Sequence, residues 1–362
     1  MRTFAPIPES LLAVAEAQEG LVAGRQCDEH GVGSSRRSRL VRSGWWLAVT
    51  RGVFDTCAVR PAQRTVELVP ARPVPPLLVS EDVPGRSRTA REAALRRRSP
   101  ADLLHDHRRR RAAWAGLLAY GGAAIAVGTS ALALHGIEGV PGRITPQVTL
   151  PDASARRQHP GVVLRQFDDG MTVVPFGDGR SAGRHLASVE WALAQSVPEL
   201  WPASALAVLD SALRLEALDR AGLERAHDHA RGRRGVAARH VAWELADGRS
   251  ASPLESAGRW QCHEWDVLPD TLQLPVLDSD GRLLGVGDLA WFRGGGRVLV
   301  VEMDGFDWHD GSARGAARDR DRDNDFARHG VDVLRFAAEH VRRDVVGREV
   351  SRFLSARRAS RS

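Results

Sequence analysis

The stretch from Leu284 to Met303 limits what this chain can fold into more than any other. A largely apolar run ends at Phe292, Arg293 and three glycines follow, and a second largely apolar stretch extends from Arg297 to Met303. That pattern predicts an antiparallel hairpin turning on Gly294–Gly296, because glycine enters left-handed turn conformations that other residues avoid. With Gly295 at the centre of the turn, Phe292 opposes Val298. The same sum sets Asp288 opposite Glu302, and directly paired side chains have Cβ atoms about 5 Å apart. Period-two alternation brings Asp304 to the face of Glu302 and turns Met303 away. Three carboxylates on one patch of a buried hairpin repel unless a cation, a proton or an arginine compensates them. Hard oxygen donors on paired strands are what Mg²⁺ prefers.

The flanking elements can be read with the same rules. Ser252-Pro-Leu-Glu255 opens a helix: serine caps it, proline suits its first position, and Glu255 completes a capping box. Leu272 to Leu277 reads as a strand and Asp280-Gly281 as a turn. His309 stands five residues past Asp304 in a loop. From there a histidine can activate water or protonate a leaving oxygen, or it can be a loop residue with no role. Ala313 to Arg328 reads as a helix with alternating Arg and Asp, Val331 to Phe336 as a buried strand, and Glu339 to Leu354 as a closing helix. The expected order is helix, three antiparallel strands, helix, strand, helix.

The 362 residues leave room for two or three such domains. Hydrophobic residues make up 43% and charged residues 27%, a globular balance, and the net charge of +6 permits a nucleic-acid partner. All 51 basic residues are arginine. No lysine can therefore act as general base, Schiff-base former or phosphate clamp. Cys27, Cys57 and Cys262 are too few and too far apart for a disulfide framework or a structural zinc site, and read as thiols in a reducing cytosol. The N-terminus lacks a basic, secretory-type start. Residues 112–137 carry no Asp, Glu or Arg, but the glycines at 121, 122 and 128 divide the run. We expect two buried helices there, the second capped by Thr129 or Ser130, and no membrane span.

Nearer the start, Glu9 to Ala17, Val22 to Glu29 and Ser34 to Val41 read as helices. Trp45 to Val49 and Gly52 to Phe54 read as a short hairpin. Three helices and a hairpin is the order of a winged helix. The third helix presents Arg36, Arg37, Arg39 and then Arg42, a basic face able to enter a major groove. The same arginines would also serve merely to solubilise a small domain. Pro70 to Pro76 reads as a connector, followed by an arginine-rich stretch from Arg86 to Arg111. In the middle of the chain, strands are expected at Gln147 to Leu150, Val162 to Gln166 and Met171 to Pro175. Helices are expected at Ala187 to Leu193 and Ala203 to Leu218.

The C-terminal residues together resemble the DUF559 domain, a branch of the very-short-patch-repair-like, restriction-endonuclease-like fold. The matching pieces are Ser252-Pro-Leu-Glu255, Gln273, Gly287-Asp288-Leu-Ala-Trp291, and Val301-Glu-Met-Asp-Gly305 with His309. Arg318-Asp-Arg-Asp-Arg-Asp-Asn324 and Gly330-Val-Asp-Val-Leu-Arg-Phe336 complete the set. The resemblance implies a helical acid at Glu255, a metal aspartate at Asp288 and a second acidic ligand at Glu302. Asp304 stands where the broader superfamily usually has lysine. More loosely, the first 240 residues resemble the AbiEi-like architecture of type IV toxin–antitoxin systems. The winged helix falls on Leu11 to Phe54, closed by Arg51-Gly-Val-Phe54. The middle region matches through Ser130-Ala-Leu-Ala-Leu-His-Gly136 and Leu209-Asp-Ser-Ala-Leu-Arg214. Where that family shows an Arg-Thr-Leu-like motif, this chain reads His185-Leu-Ala187.

These readings imply an α+β multidomain protein: a winged helix over 1–78, a middle α/β region over 79–245 and an endonuclease-like domain over 246–362. The expected function is a cytoplasmic, Mg²⁺- or Mn²⁺-dependent DNA endonuclease. Asp288 and Glu302 would be the metal ligands, with Glu255, Asp304 and His309 beside them and Arg36, Arg37, Arg39 and Arg42 on DNA. The alternative is a non-enzymatic DNA-binding regulator of the AbiEi type, with a toxin or another protein as partner.

Overall fold

A computed structural model describes residues 6–57, 100–151, 158–176, 184–304 and 324–359. The protein is α+β, with the described strands gathered into three sheets. The described residues divide into two compact units. One holds those up to Ser196 together with Glu224–Arg233; the other holds Val197–Leu223 and those from Arg234 onward.

The first unit opens with α1 (Glu9–Ala17), β1 (Leu21–Ala23), α2 (Gly24–Glu29), α3 (Ser34–Arg42), β2 (Leu47–Thr50) and β3 (Val53–Asp55). The helix expected from Val22 to Glu29 begins two residues late. Glu19 and Gly20 have φ of +57° and +85°, which turns the chain sharply out of α1. Leu21 to Ala23 then extend and pair with β3, Leu21 opposite Asp55. The Ala23 N–H is accepted by Gln26 Oε1 at 2.9 Å, which helps start α2. Leu11, Ala15, Val22, Cys27, Leu40 and Trp46 form the core of this body.

The charge-poor stretch after Arg111 does form two helices, Pro100–Tyr120 and Gly128–His135. Among the described residues no helix is long and apolar enough to cross a membrane. The second helix starts earlier than Thr129. The Gly128 N–H is accepted by Gln195 Oε1, and the Ser130 hydroxyl accepts the Gln147 N–H instead of capping. The five-stranded sheet beside them runs β6 (Val163–Arg165), β5 (Gln147–Thr149), β4 (Ile125–Ala126), β8 (Arg184–Ala187), β7 (Val173–Phe176). Strand β4, two residues long, is too short to show a period in the sequence.

Arg184, at the start of β8, is only 7% exposed, and its Nη1 has no hydrogen-bond partner among the described residues. Burial and the charge of Arg25 both push its guanidinium pKa down. A buried cation in such surroundings is often replaced at a gain by an apolar side chain of similar volume. Arg184→Met should raise stability by about 1–3 kcal/mol in urea unfolding. A loss of stability would show that the charge is compensated.

The second unit is built on a four-stranded sheet in the order β12-β11-β10-β9, from Val331–Ala337, Val298–Asp304, Leu283–Phe292 and Thr271–Leu277. The last three pair antiparallel in chain order, whereas β12 joins β11 in parallel. Leu289, Trp291, Leu299, Val301 and Met303 face one core with Cys262, Val346 and Val350 from the helices Pro253–Glu264 and Val346–Ala359. Val276, Ala290, Val300 and Val331 face the other, with Phe326. The single closing helix expected from Glu339 is two, Ala338–Arg342 and Val346–Ala359, parted at Asp344 with φ +54°. Of the helix expected over Ala313 to Arg328, residues 324–328 are helical and 313–323 lie outside the described residues. The sheet is tight at Gly287: a Cβ there would stand 2.3 Å from Val300 Cγ1, so only glycine fits.

Candidate active site

The hairpin register is the expected one as far as it runs. Phe292 opposes Val298, and Leu289 opposes Val301. One step further the β10 side chain takes over from the backbone. Asp288 Oδ2 accepts the Met303 N–H at 2.7 Å. On the other flank of β10, the pairs Leu274–Gly287 and Leu272–Leu289 bracket an unpaired step at Gln273 and Asp288. Gln273 has φ +52°, a left-handed conformation that costs a non-glycine residue free energy. The kink reverses the alternation: Leu272 belongs to one core and Leu274 to the other, although they are two residues apart. Gln273 is thereby aimed at two acids. Its Nε2 donates to Asp288 Oδ1 at 3.1 Å and to Glu255 Oε2 at 2.9 Å.

Glu255 arrives from the helix Pro253–Glu264, and its capping role and its place here coexist. Its N–H is accepted by Ser252 Oγ at 3.2 Å, the Ser252 hydroxyl donates to Oε1 at 3.0 Å, and the Ala251 N–H donates to Oε2 at 2.7 Å. The residue is 5% exposed. Burial, then the neighbouring charge of Asp288, pushes its pKa up to about 7. Burial likewise pushes Asp288 up to about 6, against the donors Met303 N–H and Gln273, with the charges of Glu302 and Asp304 adding to the rise.

Within the expected patch of Asp288, Glu302 and Asp304, the charges of the last two reach Asp288, but the three acids have different surroundings. Glu302, 6% exposed, sits opposite Arg335 in the parallel ladder and accepts from Arg335 Nε at 2.9 Å. Asp304 is exposed at the strand end. Glu255 and Asp288 are the two acids joined through a shared donor, Gln273. Among the described residues no three His, Cys, Asp or Glu side chains gather closely enough to hold a metal ion by themselves. His309 lies outside the described residues. Reading acids alone passed over Arg335, whose link to Glu302 depends on the register of a strand more than thirty residues on. Arg214 was passed over for the same reason; its charge lowers Glu255, and its Nη1 donates to the Ser250 carbonyl at 2.6 Å.

The four arginines of α3 part company. Arg39 and Arg42 are exposed, Arg36 is half-buried and donates to the Pro6 carbonyl at 2.9 Å. Arg37 turns inward: its side chain is 11% exposed, binds Asp28 at 2.5 Å and the Val32 carbonyl at 2.7 Å, and lies over the Phe54 ring. It braces α3 against the body.

No protein-family model matches this chain. Two uncharacterised proteins of Mycobacterium tuberculosis, from two strains, are each 31% identical to it over 165 residues. The match covers 46% of this chain and 59% of each relative.

Proposed function

We propose that the second unit carries a DUF559-type, restriction-endonuclease-like domain that hydrolyses phosphodiester bonds in DNA with Mg²⁺ or Mn²⁺. The observation that carries this reading is the Glu255–Gln273–Asp288 couple. Two largely buried carboxylates share one neutral amide at the point where strands part, and burial with mutual repulsion makes their charges costly. Perturbed acids in such a place are more frequent at functional sites than elsewhere. The donor set suits a hard cation: Asp288 and Glu302 offer carboxylate oxygens on adjacent strands and would hold the ion. When bound, such an ion polarises a phosphoryl oxygen and lowers the pKa of a water. Glu255, anchored by Ala251 and Ser252, would orient water on the far side of Gln273. Asp304 stands beside Glu302 as an auxiliary acid. His309 remains the candidate for proton transfer, since the chain has no lysine.

The opening of the first unit fits a winged helix, with α3 as the helix that meets DNA and the following five-stranded region as the AbiEi-like middle. In that reading the exposed Arg39 and Arg42 would meet phosphates, with Arg36 at the margin and Arg37 holding the helix. One observation favours the second reading, a DNA-binding regulator without catalysis. The Arg335–Glu302 pair supplies a positive charge to the site, so that the fold stands without a cation.

The deciding experiment is Mn²⁺ calorimetry on wild type, Asp288→Asn and Glu302→Gln, beside cleavage assays on single-stranded, nicked and mismatched DNA and on RNA. Wild type should bind and cleave, and both variants should lose cleavage by at least a hundredfold, on the order of 3 kcal/mol in the barrier. Identical titrations from the three proteins would sink the metal site. Binding without turnover on any substrate would transfer support to the regulator.

A further inference from the structure

Gln273 is held in a conformation its residue type disfavours. Glycine adopts φ near +52° freely, whereas a side chain there is strained. The strand nevertheless carries a long amide at this point, and the amide makes two bonds of ordinary length, one to each acid. Both acids also have backbone anchors of their own: Met303 N–H for Asp288, Ala251 N–H for Glu255. Among the described residues the amide is thus the group that relates the two carboxylates to each other. Without it, two like charges with no common donor would turn apart.

Resting on the metal-dependent reading above, we propose that Gln273 is a positioning residue. Its amide holds Asp288 and Glu255 one donor apart, so that Asp288 meets the cation directly and Glu255 meets it through water. The amide stays in place when the ion binds, because Asp288 Oδ1 keeps a second lone pair for the ion, and Glu255 Oε1, bonded to the Ser252 hydroxyl, keeps one for the ion's water. A structural role alone would tie Gln273 to stability. The positioning role ties it to cation affinity, and the two separate because glycine relieves the backbone strain while deleting the amide.

The test compares wild type, Gln273→Ala and Gln273→Gly by thermal unfolding and by Mn²⁺ calorimetry, with side-chain amide NMR during Mg²⁺ titration. We expect Gln273→Gly to melt several degrees above Gln273→Ala, yet both to bind Mn²⁺ at least tenfold more weakly than wild type. In wild type the Gln273 amide resonances should shift on Mg²⁺ saturation and remain protected. Equal Mn²⁺ affinity in wild type and both variants overturns the inference and leaves the metal site standing. Amide resonances that move to the solvent-exposed position overturn it too, and would make Gln273 a stand-in that leaves as the ion arrives. No Mn²⁺ binding by wild type overturns the metal reading and this inference with it.

Discussion

Asp210→Ala should destabilise the protein by about 3–5 kcal/mol, the range found when one partner of a buried ion pair is removed. Asp210 lies in the helix Pro202–Arg214 and is fully buried. Its two oxygens each accept from Arg259 Nη2 at 2.8 Å, and they also accept from the Ser256 hydroxyl at 2.7 Å and the Asp247 N–H at 2.8 Å. Alanine would strand the Arg259 guanidinium, itself 6% exposed, away from solvent without its carboxylate. Arg259 and Ser256 stand on the helix that carries Glu255, so the loss reaches the site as well as the core. The double variant Asp210→Leu, Arg259→Met removes both charges and should recover part of the loss, though the Asp247 N–H stays without its acceptor while the Ser256 hydroxyl keeps the Ser252 carbonyl at 3.2 Å. Urea unfolding of the single and double variants measures both steps. A single variant within 1 kcal/mol of wild type would refute the account (the threshold is roughly an ordinary hydrogen bond).

The second large effect is on pH. Glu255 and Asp288 both titrate above their ordinary range in the fold, at about 7 and about 6. The folded state therefore binds more protons than the unfolded chain between the two sets of values. Their contribution to stability is fully present below about pH 4 and is lost as pH rises through 6 to 7. At about 1.4 kcal/mol per pKa unit, and discounting Asp288 for its residual exposure, the pair should cost on the order of 2–4 kcal/mol at pH 8. Unfolding in chelator from pH 5 to pH 8 should show that decline in wild type. Asp288→Asn should flatten it and melt higher than wild type at pH 8. Parallel profiles from the two proteins would refute the coupling of these acids.

Much of this site was legible in advance because it follows local rules. Glycines at 294 to 296 fixed the hairpin register, and Ser252 with Glu255 three residues on announced a helix start. What escaped was set by contacts distant in the chain or by departures from a period. Leu21 to Ala23 reads equally well as helix or strand, and pairing with Asp55 decides it. Alternation assumes a regular ladder around Asp288, Glu302 and Asp304. The left-handed Gln273 and the side chain of Asp288 end that regularity, and nothing in their residue types declares it. Arg37 looks like its neighbours on α3 until Asp28 and Phe54 are folded against it. Asp210 and Arg259, 49 residues apart, meet only in the finished fold.

The parallel pairing of β12 with β11 also sets an order of assembly. Strands β9, β10 and β11 follow one another through short turns and can zip up locally. Strand β12 must wait for 26 intervening residues to close a loop, from Asp304 to Val331. Non-local parallel pairing is slow because the closure entropy is met before any contact repays it. Until that step Glu302 is an acid on an open edge without Arg335, and its strand presents unpaired backbone groups. The arginine that neutralises the site is thus also the last latch of the sheet.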